Sequence, residues 1–485
     1  MAANFLHGVE TIEIDRGPRP IRQVKTAVVG LICTAPIFAI AAADARINEP
    51  VLITSDVDAA RYAGAQRAGY TGPAALDAIH DHGSGLVVMV NVFDPTVHKT
   101  SVAAADHVLA ADDTVTLPHD GLSAVVVQNQ AGDTTYLLDT DYSLDAIEGV
   151  VTRLDGGAIA AGATLSIAYD HADPSLVSSA DIIGAVSAGG ERTGLQALLD
   201  CYSLFGFHPK ILIAPGFSTA AAVATELSAM ADKVRAIALI DAPIGTTVSE
   251  AITGRGAEGA INFNTSSERV GLCFPHLKRY DLATETEVLE PMSPRLAGVM
   301  CAKDIERGYW WSPSNTEFKG ITGTEVRITA GINDPTSEAN LLNEVGIITV
   351  FNAFGTGLRT WGNRSAAWPT VTHPKNFINV RRTADVLHES VEYSMLQFLD
   401  RPLNDALVQD IRASVNSFIR TLIQRGALID GSCTYDPAKN PATELALGHV
   451  TFDITFMPPT PAERISFESF IDISLLNQIG AGAAA

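Results

Sequence analysis

Short apolar runs alternate with amphipathic helical stretches through the middle of the chain. A helix predicted over residues 219–234 precedes an apolar strand over 236–241, and the run 86–90 reads as another buried strand. Strands that alternate with helices favour a parallel sheet covered by helices. The pattern therefore predicts an α/β protein of several domains, in which residues 21–94 and 181–370 build a central helix-covered sheet.

The pattern changes between residues 95 and 180. Short alternating segments, such as 123–128 and 164–169, follow one another and are separated by Gly, Asp and Asn, as in a small β-sandwich or barrel. This stretch holds 12 acidic residues against Lys99 and Arg153, which gives a net charge of −10. We therefore expect an acidic, β-rich domain inserted into the central one and projecting into solvent.

A further domain is predicted over residues 371–457. Helical periodicity is present near 382–399 and over 403–424, and an apolar strand follows at 450–456. Helices and strands are thus segregated here rather than strictly alternating, so this C-terminal α/β domain gives the whole chain an α+β multidomain character.

Both ends of the chain carry amphipathic strands on proline linkers. Residues 1–20 contain a predicted strand with Ile12 and Ile14 on one face, followed by a Gly-Pro-Arg-Pro linker. Residues 458–485 begin with Pro-Pro-Thr-Pro, and a period-two pattern then places four apolar residues on one face of a strand: Ile465, Phe467, Ile471 and Ile473. Unpaired edge strands are liabilities unless a partner covers them, so we expect both arms to pair with other subunits.

Composition excludes several classes of protein. The 485 residues are enough for about three domains. The net charge of −22, without a basic run, argues against a nucleic-acid partner. Of the five cysteines, the closest pair is Cys273 and Cys301, 28 positions apart (301 − 273), so no zinc-binding CxxC spacing exists. The uncharged stretch 27–43 is interrupted by Gly30 and Pro36, and we interpret it as a buried strand and turn rather than as a membrane segment.

No cofactor or metal site is predicted. The turn at Gly355 and Gly357 follows a strand but lacks the third glycine of a dinucleotide-binding loop. His80, Asp81 and His82 are adjacent in sequence, and adjacent side chains diverge on any regular element.

The strongest enzyme-like pattern surrounds Ser218. It occupies the middle of a G-x-S-x-A sequence between a predicted strand and helix, and Asp241 and His276 follow later in the chain. Such an order suits an α/β-hydrolase with Ser218 as nucleophile. The alternative is that Gly216 makes a turn and the Ser218 hydroxyl caps the helix. We favour the cap and predict no enzyme, because no glycine cluster that would form an oxyanion hole precedes the serine.

One segment carries a family resemblance. The apolar strand 346–351 runs into a glycine-punctuated turn and then into Trp361, Gly362, Asn363 and Arg364. This order resembles the signature of the tail sheath proteins of contractile bacteriophage tails. The segments 211–216, 379–382 and 448–461 are similar to other parts of the same family, and the likeness extends over most of the chain outside the β-rich insert.

The resemblance implies a mechanical function. Sheath subunits stack as hexameric rings around a tail tube, and the stack contracts to drive the tube through the host envelope. The implied partners are further copies of the chain, the tail tube protein, and the baseplate and tail terminator proteins. The implied location is the phage virion after assembly in the host cytoplasm, although a phage-derived injection particle would use the same architecture.

Two pairs of residues in these segments have candidate roles. One interpretation of Trp361 and Arg364 is an active-site pair. We favour a structural role in holding a loop between domains, since Trp buries a large area and Arg binds carboxylates in a fork. Arg381 and Arg382 open a predicted helix. A solvated charged face is the ordinary interpretation of such a pair, and the family resemblance makes them candidates to face carboxylates of the tube.

Overall fold

The computed structural model describes residues 20–479 except 84, 258, 260, 262, 282, 283, 353, 354 and 356. Its strands are β1 (Val28–Cys33), β2 (Pro50–Ile53), β3 (Leu86–Asn91), β4 (Lys99–Val108), β5 (Thr114–Thr116), β6 (Leu122–Asn129), β7 (Tyr142–Asp145), β8 (Val150–Arg153), β9 (Thr164–Ala172), β10 (Ile211–Ile213), β11 (Ile237–Asp241), β12 (Val270–Cys273), β13 (Leu277–Asp281), β14 (Thr286–Glu290), β15 (Gly323–Thr324), β16 (Ile347–Asn352), β17 (Leu358–Trp361), β18 (Asp430–Thr434) and β19 (Asp453–Met457).

The α-helices of the described residues are α1 (Asp56–Ala63), α2 (Gly72–His80), α3 (Ser179–Ile183), α4 (Cys201–Phe205), α5 (Ala221–Val234), α6 (Val248–Thr253), α7 (Met292–Glu306), α8 (Glu338–Glu344), α9 (Ile378–Met395), α10 (Asp405–Gln424) and α11 (Ala442–Ala446). None of them is both long and apolar enough to cross a membrane.

An eight-stranded sheet forms the centre of the molecule, in the order β17-β16-β12-β11-β10-β1-β3-β2. The six inner strands are parallel, and an antiparallel strand closes each edge. Every residue of β1 and of β11 is buried, because helices cover both faces of such a sheet and its strands are apolar throughout. The expected helix-covered sheet is present, and the apolar run near residue 30 is one of its inner strands, between β10 and β3.

The chain leaves this sheet after β3 to form a β-rich insert. Its strands make two three-stranded antiparallel sheets, β4-β9-β6 and β5-β8-β7. The sheets enclose a hydrophobic core separate from that of the central sheet, with Val127, Val151, Leu165 and Ile167 wholly buried. The alternating burial along β9 follows from side chains that point to opposite faces of the strand.

Helices α9 and α10 and the hairpin β18–β19 form a C-terminal unit. The side chain of Asn404 accepts the Leu407 N–H and so caps the start of α10. Buried apolar residues then recur at helical spacing and pack against α9 and the hairpin: Val415, Phe418, Ile419 and Leu422. A third hydrophobic core results, separate from those of the central sheet and the insert.

Three buried ion pairs join α9 to the central body. They are Arg269–Asp385, Lys210–Glu389 and Arg382–Asp304, with closest N···O distances of 2.5, 2.6 and 2.5 Å. Removing one partner of such a pair leaves an uncompensated buried charge. These contacts therefore fix the helix in one orientation on the sheet.

The C-terminal tail forms no strand within one chain, and the expected pairing of this arm with another subunit stays a prediction. Residues 458–472 form no strand, and Ile473–Gln478 is a 3-10 helix. The apolar residues assigned to the strand face are open to solvent, with Phe467 91% and Ile471 89% exposed, and Ile465 and Ile473 are exposed as well. A strand needs a neighbouring strand for its backbone hydrogen bonds, and none lies beside this segment in one chain. Ile12 and Ile14 of the N-terminal arm lie outside the described residues.

The burial of β10 leads to a stability prediction. Leu212 is wholly buried in the sheet core, whereas Leu204 of α4 is 57% exposed. We expect Leu212→Ala to lower the free energy of unfolding by about 2–5 kcal/mol through lost burial and a residual cavity. Leu204→Ala is the matched control and should change it by less than about 0.5 kcal/mol. Denaturant titration would measure both variants, and equal effects would contradict the placement of β10.

Candidate functional site

Ser218 lies in a fully buried cluster of hydrogen bonds with Asp241 and Ser293. Its hydroxyl donates to Asp241 Oδ2 at 3.3 Å and accepts the Asp241 N–H at 3.1 Å. Ser293 also contributes, since its N–H donates to Asp241 Oδ1 at 2.8 Å and its hydroxyl donates to Oδ2. No solvent reaches the Ser218 side chain, and no histidine stands between the serine and the aspartate. The nucleophile expected of a hydrolase is absent in this geometry.

The helix-cap interpretation of Ser218 is also wrong. Helix α5 has Ala220 at its N-cap, and no side chain makes a capping hydrogen bond there. The hydroxyl instead bridges the turn after β10 to the end of β11. Burial raises the pKa of the Asp241 carboxyl above its usual range, and the hydrogen bonds from Ser293 oppose that rise.

The Trp361–Arg364 signature begins at the edge of the central sheet. Trp361 ends β17, pairs with Thr349 of β16, and stacks on Phe351 with ring centroids 4.4 Å apart. Gly362 follows with φ of 116°, and a Cβ there would lie 2.2 Å from Asn343 Oδ1. Only glycine fits this conformation and this space. The chain can therefore turn sharply from the sheet edge towards α9.

The next residue connects the sheet to α9 and the tail. Asn363 donates through Nδ2 to Asn379 Oδ1 at 2.8 Å, and both residues are buried. Asn379 in turn donates to the carbonyl of Trp310 at 2.8 Å and to that of Pro459 at 3.4 Å. The two asparagine amides thus link the central body, the C-terminal unit and the root of the tail.

Arg364 completes the loop and holds the tail. Its guanidinium lies between two aromatic rings, 3.8 Å from the centroid of Trp368 and 4.1 Å from that of Phe377. Nη1 donates to Asn376 Oδ1 at 2.9 Å. Nε donates to Glu463 Oε1 at 3.1 Å and Nη2 donates to Glu463 Oε2, which is the bidentate fork that arginine makes with a carboxylate. The arginine therefore joins the signature loop to a residue 99 positions later.

Arg255 is a structural residue that sequence reasoning missed. Its guanidinium donates to five backbone carbonyls, those of Val345, Phe263, Thr265, Ala366 and Trp368. Burial lowers the pKa of this guanidinium. A single arginine in a glycine-rich loop carries no pattern in the sequence, so only the tertiary structure shows that it ties four segments together beneath the signature loop.

Arg381 and Arg382, the candidates to face carboxylates of the tube, both form ion pairs within the chain. Arg382 is 6% exposed and forms its ion pair with Asp304 inside the molecule. Arg381 binds Glu268 and Asp385, and its side chain is 14% exposed. Both arginines lie on the face of α9 that packs against the central body, so neither side chain is available to another protein.

The described residues hold no group of three or more His, Cys, Asp or Glu side chains that could bind a metal ion. His80 contacts Asp56, and the buried His82 contacts the Ala78 carbonyl and the Lys319 N–H. The two histidines therefore contact different segments. Their contacts are those of helix ends packed against neighbouring segments.

Family models match most of the chain. The central domain of the phage tail sheath protein matches residues 190–366, and the phage tail sheath C-terminal domain matches residues 370–472. A model described only as a protein of unknown function matches residues 94–180, the segment that forms the β-rich insert.

Whole-chain relatives and solved structures agree with these matches. The chain is 51% identical to the tail sheath protein of Burkholderia phage BcepMu, over 99% of this chain and 100% of that one. It is 31% identical to a putative prophage major tail sheath protein of Pseudomonas aeruginosa, over 98% and 99%.

Two structures share the fold. The helical sheath of the anti-feeding prophage in its contracted state has a TM-score of 0.60 at 18% identity, covering 97% of this chain and 100% of that one. A chain of the sixfold-symmetrised baseplate of the same particle has a TM-score of 0.56 at 18% identity, covering 97% and 100%. The fold is thus that of a contractile sheath subunit. The chain belongs to the phage tail sheath protein family.

The buried carboxyl of Asp241 leads to a prediction about pH. Because its pKa is raised in the folded state, the unfolded state loses the proton first, and the free energy of unfolding falls as the pH rises above about 4. Asp241→Asn keeps one acceptor and supplies two donors to the serine hydroxyls. We expect the variant to gain stability relative to the wild type as the pH rises above about 4.

Denaturant titrations at several pH values would measure this difference, with the exposed Asp410→Asn on α10 as control. A difference between Asp241→Asn and the wild type that does not change with pH would contradict a raised pKa. The same comparison for Asp410→Asn should show little dependence on pH.

Ser218 leads to a prediction about reactivity. A serine hydroxyl that is wholly buried and bonded to a carboxylate cannot approach an electrophile. We expect the folded protein not to react with a fluorophosphonate probe, as judged by intact mass and by digestion to the peptide that holds Ser218. Labelling of that serine in folded protein, lost in Ser218→Ala, would revive the hydrolase alternative.

Proposed function

We propose that this protein polymerises as stacked hexameric rings around a tail tube and contracts to drive the tube through the host envelope. The carrying observation is the C-terminal tail. It leaves the folded body at Glu463 and then presents a series of large apolar side chains to solvent: Ile465, Phe467, Phe470 and Ile471. Such an exposed series marks a surface that a partner covers.

The hairpin β18–β19 offers a place for such an arm. Among the described residues, these two strands pair only with each other. On the side of β18 away from β19, some backbone groups are already hydrogen-bonded. The Asn416 amide accepts the Cys433 N–H and donates to the Cys433 carbonyl, both at 2.8 Å. The edge of β19 has no second neighbouring strand there. An arm from another subunit that adds along this edge gains backbone hydrogen bonds and loses its exposed apolar surface.

Such a contact generates a polymer. The arm and the hairpin are different surfaces, so each subunit can give an arm and receive one, and repetition of a heterologous contact builds rings or helical stacks. A sixfold baseplate contains a chain of this fold, which supports rings of six. The net charge of −22 opposes uncontrolled association of the bodies and leaves assembly to the arms.

We further propose the partners and location that this role requires. The inner surface of the stack contacts the tail tube protein, and its two ends contact the baseplate and the tail terminator. The subunit is assembled in the host cytoplasm and resides in the virion. The relative at 51% identity is a phage tail protein, which favours a phage tail over another injection particle, and the role requires neither catalysis nor a cofactor.

The role predicts the effect of removing either arm. Deletion of residues 1–20, or separately of residues 464–485, should leave a soluble protein that folds but forms no tubes. Every contact between subunits would then lack either the strand that is donated or the strand that accepts it. Negative-stain electron microscopy of the purified protein would look for hollow striated tubes. A chain that lacks only residues 482–485, the alanine-rich end, is the control and should assemble as the full chain does.

Circular dichroism and thermal unfolding would confirm that each deletion variant folds. Normal tubes from a chain without residues 464–485 would contradict the role of the C-terminal arm. Absence of tubes from the full chain, with or without added tube protein, would count against the proposed function as a whole.

A further inference from the structure

Glu463 marks the point where the tail leaves the folded body. Before it, Pro458 is buried and the Pro459 carbonyl accepts from Asn379. After it, no hydrogen bond or ion pair joins residues 464–479 to the rest of the described chain, and the bonds there are local. The ion pair between Glu463 and Arg364 is therefore the last polar contact that holds the tail.

The two sides of this ion pair differ in how firmly they are held. Arg364 lies between Trp368 and Phe377 and also donates to Asn376, and its side chain is 14% exposed. The side chain of Glu463 is 47% exposed and sits on an otherwise free segment. The arginine is a fixed anchor, whereas the carboxylate can exchange its partner for water at small cost, as exposed ion pairs do.

The segment before Glu463 is stiff. The Pro-Pro-Thr-Pro sequence ends only two residues before it, and proline-rich segments extend by about 3.1 Å per residue and bend little. Residues 460–463 therefore form a short strut that begins at the Asn379 contact with Pro459 and turns after Pro461, whose carbonyl accepts the Glu463 N–H at 3.0 Å. While the ion pair is formed, the strut has one direction. When the ion pair is broken, the strut can rotate about Pro459.

We propose that Arg364 and Glu463 form a releasable latch that sets the direction and reach of the C-terminal arm. The inference rests on the proposed function, in which an arm docked on a neighbour stays bound while the bodies move. Opening the latch lets the root of the arm turn about Pro459 without pulling the arm from its acceptor. The signature loop, which holds the arginine, thereby controls how far two linked bodies can separate.

The latch can be tested in single full-length chains. All five native cysteines are buried, so introduced surface cysteines take nitroxide labels selectively. One label goes on Ser466→Cys in the arm and the other on Asp410→Cys, an exposed position of α10. Pulsed electron spin resonance then gives the distribution of distances between them, in labelled protein diluted into an excess of unlabelled protein so that only distances within one chain contribute.

We expect a narrow distribution in the labelled parent and at least a twofold broader one in Glu463→Ala. Arg364→Lys keeps the charge but loses the fork and the stacking, and should broaden the distribution as well. Glu468→Ala is the matched control, because Glu468 lies in the exposed arm beyond the latch, and it should leave the width unchanged. Added salt at about 1 M should broaden the parent and leave Glu463→Ala unaffected.

Two outcomes would overturn the latch. One is a parent distribution that is already as broad as that of Glu463→Ala, and the other is equal broadening by Glu468→Ala. The measurement needs no polymer, so it separates the two proposals. A latch without tubes would keep the ion pair as the element that sets the direction of the tail but remove the assembly role, whereas tubes without a latch would remove the latch and keep the assembly role.

Discussion

The backbone N–H and C=O groups of a β-strand find their hydrogen-bond partners in a neighbouring strand. This requirement divides the chain into two kinds of segment. The central sheet, the insert and the C-terminal hairpin meet it within one molecule. The tail does not, and its apolar side chains stay in water although its sequence has the alternation of a strand. The proposed function supplies the missing neighbour, since a strand of another molecule would pair with this segment.

The packing of α9 on the central body matters as much as the unpaired tail. The ion pairs between α9 and the central body place charges such as Asp385 and Glu389 where water hardly reaches them. Buried pairs of this kind add little net stability but penalise any other packing, because a displaced partner leaves a bare charge. We therefore expect the C-terminal unit to keep one orientation on the central sheet.

Local patterns predicted the parts of the fold whose causes are local. The apolar strands near residues 211 and 236 stand in the central sheet, since strand burial follows from a continuous apolar run. Patterns failed where a distant partner decides the outcome. Ser218 has the position of a helix cap, but its hydroxyl bonds to Asp241, 23 residues away. Arg381 and Arg382 look like a solvated pair, yet Asp304 and Glu268 turn that face of the helix inward.

Local sequence patterns also fail to predict the contacts of the signature loop. These contacts show that the loop does more than support a domain boundary. Trp361 secures its start on the sheet and Arg364 its end on the tail, 99 positions further on, so no spacing rule connects the arginine with its carboxylate. A flexible arm binds best when its root is aimed at the acceptor, because less orientational freedom is lost on docking. A root that is firmly aimed also limits how far the bodies can slide. The ion pair between the exposed Glu463 carboxylate and the fixed Arg364 meets both requirements. It sets the direction of the arm during assembly, and it breaks when the arm is pulled, so that neither folded unit is disturbed.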